Sequence, residues 1–299
     1  MSFQNILYSV DDGIATITLN RPDKLNAVSE AMIDEIIAAL DCADADDDVR
    51  VVVVRANGRL FCAGADLSQG AGTFDYGSHA PVGPSSPVRP DGSIDYSHEK
   101  VRDGAGRLTL RLYRSLKPVI GALHGAAVGV GVTMTLAMDA RFAADDTRFG
   151  LVFTRRGIVP EAASTWFLQR IVGLDRALDW CLTGRMVSAG EALEAGLVRS
   201  LHPAAELLPA AYAYAREIAD YTAPVSVALT RQMLWQMAGA RHPMEAHRLD
   251  SRGVYARGRS DDAREGVASF LEKRPPAFTD RVSRDMPDYF PWWEDPDYS

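Results

Sequence analysis

A strand, a helix and a second strand follow one another near the start of the chain, each with its own apolar pattern. Residues 14–19 alternate apolar and polar side chains up to Asn20, which is typical of a half-exposed strand. From Ser29, a suitable N-cap, apolar residues recur at helical spacing as far as Leu40. Residues 51–54 are all valine, which indicates a strand buried on both faces, as parallel strands are. The segment therefore predicts a βαβ unit of a layered α/β fold.

The middle of the chain continues this alternation of helices and buried strands. A helix is predicted over residues 101–116, a buried strand over 118–124, and a glycine-rich turn over 125–131 that leads into a helix ending at Ala140. From Ile171 onward the pattern is mostly helical, and helices are predicted over 174–183, 189–195, 204–221 and 224–237. We therefore divide the chain into an α/β core, residues 1–200, and a helical carboxyl-terminal region, residues 201–299.

Two segments do not fit regular structure. Fourteen of the 26 residues from Ser68 to Ser93 are Gly, Pro or Ser, which is too irregular to pack as an element and too long for an ordinary connection. We expect residues 68–100 to form a mobile lid or insertion. The acidic tail, residues 287–299, carries five aromatic side chains, which predicts that it docks on its own subunit or on a neighbouring one.

Composition argues against several classes of protein. The chain has 299 residues, of which 47% are hydrophobic and 24% charged, as in an ordinary globular protein. A net charge of −8 without a basic run argues against nucleic acid as a partner. Three cysteines without C-x-x-C spacing argue against disulfides and a zinc site, and we expect no metal and a reducing cytoplasm. The sequence predicts neither a signal peptide nor a membrane-spanning segment.

Small residues follow the two predicted buried strands. Residues 61–67 (FCAGADL) come after the valine strand, and the turn 125–131 (GAAVGVG) comes after the second strand. If these turns lie side by side, a backbone N–H from each could point at one carbonyl oxygen and form an oxyanion hole. The alternative is that the glycines only permit close packing of a helix on the sheet.

Together these segments resemble the crotonase, or enoyl-CoA hydratase/isomerase, superfamily over residues 10–278. The resemblance implies an α/β fold with a ββα-spiral core that binds acyl-CoA, followed by a helical carboxyl-terminal trimerisation region. It also implies a homotrimer or hexamer, an enolate intermediate, and no cofactor beyond the CoA of the substrate. The motifs that carry it are residues 20–27 (NRPDKLNA), 61–67 (FCAGADL), 117–131 (KPVIGALHGAAVGVG), 182–185 (LTGR), 188–192 (SAGEA) and 270–274 (FLEKR).

The family pattern assigns roles to individual residues of this chain. The resemblance places the two oxyanion donors on the backbone N–H groups of Ala65 and Val130. Two of the implied CoA contacts are lysines, Lys24 and Lys273, and judged alone each could equally be an exposed, solubilising side chain. The implied CoA-binding residues are Lys24, Leu25, Ala63, Asp66 and Leu67, with Phe270 and Lys273 reaching the nucleotide, from an adjoining subunit in one arrangement.

The chain departs from the hydratase pattern at both catalytic glutamates. Thr133 and Phe153 occupy those positions, and we count both among the substrate-binding residues. Hydration requires a water to be deprotonated and a proton to be delivered to carbon, work that two carboxylates usually share. The departure therefore puts the usual hydratase mechanism in doubt.

Glu161 is the carboxylate that remains nearby. Several isomerases of the superfamily carry an acid at this position, and one base suffices for a 1,3-proton shift because it ends as it began. We expect Phe153, Val159 and Trp166 to desolvate Glu161 and to raise its pKa above the free value of about 4.3. The alternative is that Glu161 caps a helix beginning at Ala162.

Three functions remain open on this basis. The first is an enoyl-CoA isomerase that uses Glu161 against an enolate held by Ala65 and Val130. The second is a hydratase or thioester hydrolase in which Glu161, Ser164 or Thr133 holds a water. The third is a paralogue that binds acyl-CoA without turning it over.

Overall fold

The computed structural model describes residues 3–76 and 86–298. Its strands are β1 (Ile6–Asp11), β2 (Ile14–Leu19), β3 (Val51–Ala56), β4 (Val119–Leu123), β5 (Ala126–Val128), β6 (Ala140–Ala144), β7 (Arg148–Gly150), β8 (Met186–Ser188) and β9 (Ser200–His202). Its helices are α1 (Glu30–Ala45), α2 (Gly104–Tyr113), α3 (Val130–Thr133), α4 (Ser164–Val172), α5 (Leu174–Thr183), α6 (Ala189–Glu194), α7 (Ala204–Tyr221), α8 (Pro224–Met237), α9 (Pro243–Arg257) and α10 (Asp261–Glu272). Among the described residues, none of these helices is long and apolar enough to cross a membrane.

Six strands form the larger sheet, in the order β1-β2-β3-β4-β6-β9. β1 pairs antiparallel with β2, and every other pair in this sheet is parallel. β2, α1 and β3 form the predicted βαβ unit, with Ile14 opposite Val51, and the Ser29 side chain caps α1 by accepting the Met32 N–H. The prediction that residues 51–54 form a parallel strand buried on both faces is confirmed. The prediction that residues 14–19 form a half-exposed strand is wrong, because β2 lies inside the sheet between β1 and β3 and every residue of it except Thr16 is buried.

Each face of the larger sheet is covered by helices. One face packs into the main core with the apolar sides of α1 and α2. The other is covered by α7, whose buried residues Leu207, Ala211, Ala215 and Ala219 are spaced four apart and form one stripe. The first helix of the carboxyl-terminal region thus packs directly on the sheet of the core.

β5, β7 and β8 form a smaller sheet beside the ends of the larger one. The chain enters it directly from β4 through His124 and Gly125. Gly125 has φ of +65° and its ideal Cβ would lie 2.4 Å from the Arg59 carbonyl oxygen, so no larger residue fits. His124 Nε2 lies 2.9 Å from the Gly58 carbonyl oxygen, which agrees with a structural histidine.

The helix that was predicted to end at Ala140 is much shorter in the structure. α3 ends at Thr133, and the chain then turns with i→i+3 hydrogen bonds, such as Thr135 N–H to Val132 O at 2.9 Å, until β6 begins at Ala140. Residues 130–138 are buried on every side, so their sequence has no polar face that could mark a helical period. Asp139 also accepts the Val119 N–H, which requires the chain to reverse beside β4.

The two irregular segments are only partly described. Of the lid predicted over 68–100, residues 77–85 lie outside the described residues, and the described part contains short 3₁₀ turns at Gly70–Gly72 and Glu99–Val101. The helix predicted over 101–116 is shorter, α2. The aromatic tail contacts the residues that flank α2 in its own chain: Asp295 pairs with Arg114 at 2.7 Å, and the Arg102 guanidinium lies over the Tyr298 ring.

Candidate active site

The two glycine-containing turns lie side by side. Cys62 N–H donates to Ala126 O at 3.0 Å, and Val128 N–H donates to Cys62 O at the same distance, so the first turn extends the smaller sheet. Gly64 has φ of +109°, and its ideal Cβ would lie 3.2 Å from the Val128 carbonyl oxygen. A side chain there would force the turns apart, which explains the glycine.

Both turns offer an unused backbone donor to one cavity. Ala65 and Val130 line the same pocket, of about 560 Å³. Within residues 3–76 and 86–298, no acceptor receives a hydrogen bond from the N–H of either residue. Val130 is the first residue of α3, whose own geometry leaves this N–H free. Two unused backbone donors at one pocket are what an oxyanion hole requires, and this role of Ala65 and Val130 stays a prediction.

Glu161 lies in the wall of this pocket, between a 3₁₀ turn and α4. Thr133 Oγ1, from the end of α3, donates to Glu161 Oε1 at 2.5 Å, whereas Oε2 is buried and has no partner among the described residues. Burial raises the pKa of Glu161 to about 7; the Thr133 hydrogen bond opposes this change and the negative charge of Asp103 adds to it. At this pKa the side chain can accept and return a proton near neutral pH.

Glu161 does not cap a helix. α4 begins at Ser164, and both Ala162 and Ala163 adopt the left-handed conformation, with φ of 59° and 52°. For residues other than glycine this conformation costs about 1–2 kcal/mol each. The Ala162 N–H donates to Asp103 Oδ2 at 2.7 Å, so the segment after Glu161 is held by the N-terminus of α2. The alternative that Glu161 is a helix cap is therefore wrong.

Apolar side chains surround the carboxylate, although not all of those expected. Phe153 is buried and lines the pocket, and Val159 lies at its edge. Trp166 does not line it; its ring packs against Tyr113 and Phe167 beside a second cavity. The expectation that Trp166 forms part of the apolar wall around Glu161 is wrong, because Trp166 lines the second cavity and not this pocket.

The implied CoA-binding residues fall into two groups. Ala63 and Leu67 line the pocket. Asp66 is engaged by Arg21 at 2.8 Å, which lowers the pKa of its carboxyl. Beside them, Leu25 O accepts the Ala63 N–H at 3.0 Å, and Lys24 is exposed on a 3₁₀ turn.

Phe270 and Lys273 lie at the end of α10 and do not line the pocket of their own chain. The Phe270 side chain is 82% exposed. A contact between these residues and CoA therefore stays a prediction.

Several pocket residues were not singled out from the sequence. Phe74, Tyr76, Glu30, Asp103 and Arg156 all contribute to the wall. Asp103 carried a readable signal, because an aspartate that precedes an amphipathic helix is a typical N-cap. Its contact with Ala162 had no such signal, since the two residues are 59 positions apart.

Two other chemistries have little support at this site. Cys62 is fully buried, and burial raises the pKa of its thiol to about 12, so it stays protonated and is a poor nucleophile. Among residues 3–76 and 86–298, no cluster of three or more His, Cys, Asp or Glu side chains could hold a metal ion.

Comparison with known proteins identifies the class to which this fold and site belong. The family model described as enoyl-CoA hydratase/isomerase matches residues 9–81 and 94–281, and the chain belongs to this family of enzymes, the crotonase superfamily. The α/β fold expected from the resemblance is confirmed by a probable enoyl-CoA hydratase/isomerase from Mycobacterium abscessus. That structure superposes with a TM-score of 0.78 at 32% identity, over 92% of this chain and 99% of its own.

Individual relatives carry both of the family's activities in their names. The chain is 39% identical over 272 residues to the enoyl-CoA hydratase ACTT3 of Alternaria alternata, covering 91% of this chain and 84% of the relative. It is 34% identical over 277 residues to the 1,2-epoxyphenylacetyl-CoA isomerase of Escherichia coli, covering 92% and 98% respectively. The family is thus established for this chain, whereas the choice between the two activities rests on the site.

Proposed function

We propose that this enzyme is an enoyl-CoA isomerase that moves a double bond with Glu161 as its single base. The observation that carries the proposal is that Glu161 is the pocket carboxylate that, among the described residues, has a buried oxygen, Oε2, without a hydrogen-bond partner. Glu30 also lines the pocket, but it is exposed and pairs with Arg107 at 2.9 Å. Asp103 uses both oxygens to accept three backbone N–H groups.

The proposed reaction needs no net proton change in the protein. The thioester carbonyl of a 3-enoyl-CoA would accept the N–H groups of Ala65 and Val130. Glu161 Oε2 would remove a proton from C2, and the electrons would move onto the carbonyl oxygen to give a dienolate. The protonated Glu161 would then return the proton to C4, which yields the conjugated 2-enoyl ester and restores the carboxylate. A pKa near 7 suits a base that must both take and release this proton.

The substitutions at the two hydratase positions support isomerisation over hydration. Thr133 is committed to Glu161, and Phe153 presents a ring where hydratases have a second carboxylate. Hydration or thioester hydrolysis is the second candidate, because a relative at 39% identity is named a hydratase and Ser164 Oγ is buried without a partner. In that mechanism Glu161, Ser164 or Thr133 would hold the water.

We also propose the assembly and setting that the family implies. Exposed apolar side chains on the last two helices, Val254 and Tyr255 of α9 and Phe270 and Leu271 of α10, favour association into a trimer or a hexamer. CoA would enter as part of the substrate, with no further cofactor. Cys42, Cys62 and Cys181 form no disulfide with one another, which favours a reducing compartment such as the cytoplasm.

Ultraviolet absorbance of the conjugated thioester tests the proposed function. We expect absorbance to rise when the enzyme meets 3-enoyl-CoA, and turnover to fall by about 10²–10⁴-fold in Glu161→Gln with CoA-ester binding retained. The matched control is Glu194→Gln on α6, an exposed glutamate outside the pocket. Wild-type turnover in Glu161→Gln contradicts the proposal.

The competing functions give different results in the same assay. Falling absorbance from 2-enoyl-CoA, with solvent oxygen recovered in the product in labelled water, supports hydration. Solvent oxygen in a released carboxylate supports hydrolysis. Tight binding without turnover across a panel of chain lengths supports a non-catalytic protein.

A further inference from the structure

Asp103 connects the N-terminus of α2 to the segment that carries Glu161. Its Oδ1 accepts the Ala105 N–H at 3.0 Å, and its Oδ2 accepts the Gly106 N–H at 2.9 Å, so it caps α2. Oδ2 also accepts the Ala162 N–H at 2.7 Å. A helix cap needs only the first two of these bonds. The third ties the helix to the residue that follows Glu161.

The segment that Asp103 holds is strained, and other contacts hold it as well, because Ala162 is buried in the main core and the Glu161 carbonyl accepts the Ser164 N–H at 3.0 Å. Ala162 and Ala163 both have positive φ, which alanine adopts at a cost and glycine does not. α4 receives no side-chain cap at its start. Unfavourable conformations of this kind persist only where surrounding contacts impose them, and they concentrate at functional sites. The Asp103–Ala162 bond is such a contact, one residue from the Glu161 carboxylate.

We propose that Asp103 is a positioning residue of the isomerisation: by holding the Ala162 N–H it fixes the strained turn that presents Glu161 Oε2 to the substrate. This inference rests on the proposed role of Glu161 and adds a residue that acts through it. Asp103 takes no proton from the substrate, because its two oxygens are occupied by the three N–H donors. Displacement of a base by about 1 Å is enough to lower a rate by about 100-fold.

The charge of Asp103 has a second effect on the same group. It is one of the causes that raise the pKa of Glu161 to about 7, after burial. Loss of this negative charge therefore lowers the pKa of Glu161. The other titratable or charged side chains that face Glu161 or line its pocket are Glu30, Cys62, Tyr76 and Arg156.

Two substitutions separate the bond from the charge. Asp103→Ser keeps a good N-cap for α2, but its shorter side chain does not reach Ala162. Asp103→Asn removes the charge and keeps one oxygen for the Gly106 and Ala162 N–H groups, but its NH2 group cannot accept the Ala105 N–H that Oδ1 accepts in the wild type. We expect Asp103→Ser to lower kcat by about 10–100-fold with little change in KM. We expect Asp103→Asn to lose less kcat and to move the acidic limb of the kcat/KM profile to lower pH.

The matched control is Ser188→Ala, which removes the side-chain cap of α6, a helix outside the pocket. Its kcat and pH profile should equal those of the wild type. Wild-type kcat in folded Asp103→Ser, or an equal loss of kcat in Ser188→Ala, overturns the proposal. If Asp103→Ser does not fold, Asp103→Thr, which also caps a helix but is too short to reach Ala162, takes its place, and wild-type kcat in that variant overturns the proposal.

Glu161→Gln, measured with the same 3-enoyl-CoA, distinguishes this failure from that of the proposed function. If Glu161→Gln is inactive and Asp103→Ser is fully active, only the proposed role of Asp103 is refuted. An active Glu161→Gln removes the isomerase mechanism itself.

Discussion

Replacing Glu161 by Gln should remove a loss of stability that the wild type suffers as the pH rises from 4.5 to about 7, while it lowers turnover by about 10²–10⁴-fold. The carboxylate is largely buried, and burial raises its pKa from an ordinary value of 4.5 to about 7. Folding therefore disfavours the ionised form that predominates in the unfolded chain above pH 4.5. At 1.36 kcal/mol per pKa unit, the penalty in the native state amounts to at most about 3 kcal/mol above pH 7.

The pH window of this effect follows from the sign of the change. Because the folded pKa lies above the unfolded one, the wild type has its full stability below pH 4.5 and loses stability as the pH rises through 7. Gln has the same shape, accepts the Thr133 hydrogen bond and does not titrate. The difference in free energy of unfolding between variant and wild type should thus grow in favour of Gln between pH 4.5 and about 7 and stay constant above.

Urea unfolding at fixed protein concentration, repeated from pH 4.5 to pH 9, measures this difference. The absolute offset between the two proteins is not the test, because Gln places an amide where Glu161 Oε2 has no partner. The test is the change of the offset with pH. Parallel stability curves for the two proteins would show that the Glu161 carboxylate is not destabilised by burial, and would remove the electrostatic basis of its role as a base.

Two further changes test the surroundings of the base and the oxyanion turn. Thr133→Val removes a hydrogen bond to a charged group worth about 1.5–3 kcal/mol, so the pKa of Glu161 should rise and the acidic limb of kcat/KM should move up by about one to two pH units; an unmoved limb contradicts this. Gly64→Ala places a Cβ 3.2 Å from a carbonyl oxygen of the second turn, which should displace the Ala65 N–H and lower kcat by about 10²–10³-fold. Gly173→Ala, which has a similar positive φ but open space around the Cβ, is the control for folding cost, and an equal loss of kcat there would argue against a specific effect.

Much of the fold could be predicted because burial leaves a periodic trace in a sequence. The alternation over residues 14–19 and the valines of 51–54 identified β2 and β3, and the four-residue stripe of α7 marked a helix with one apolar face. The same method failed after α3, where every side chain from 130 to 138 is buried and the pattern has no polar side.

The candidate site, like the fold, could be predicted only in part from the sequence. The motifs placed Ala65, Val130 and Glu161 near one another, and the structure brings all three to one pocket. They did not reveal which way the neighbouring side chains point, so Trp166 was expected at the carboxylate and lies elsewhere. A side chain's direction depends on the turn before its helix, here two left-handed alanines, and alanine gives no sign of that conformation in a sequence.

The sequence by itself determined the first βαβ unit, the buried strand β4, the helices α5 to α8, the two small-residue turns and the presence of a carboxylate after Pro160. Only the tertiary structure decided that Thr133 and Asp103, 28 and 59 residues away in the chain, hold that carboxylate and its turn. The reason is physical. Periodicity records whether a residue faces water or the core, whereas contacts between distant loops, and the pKa that results from them, depend on how the packed elements place the loops together.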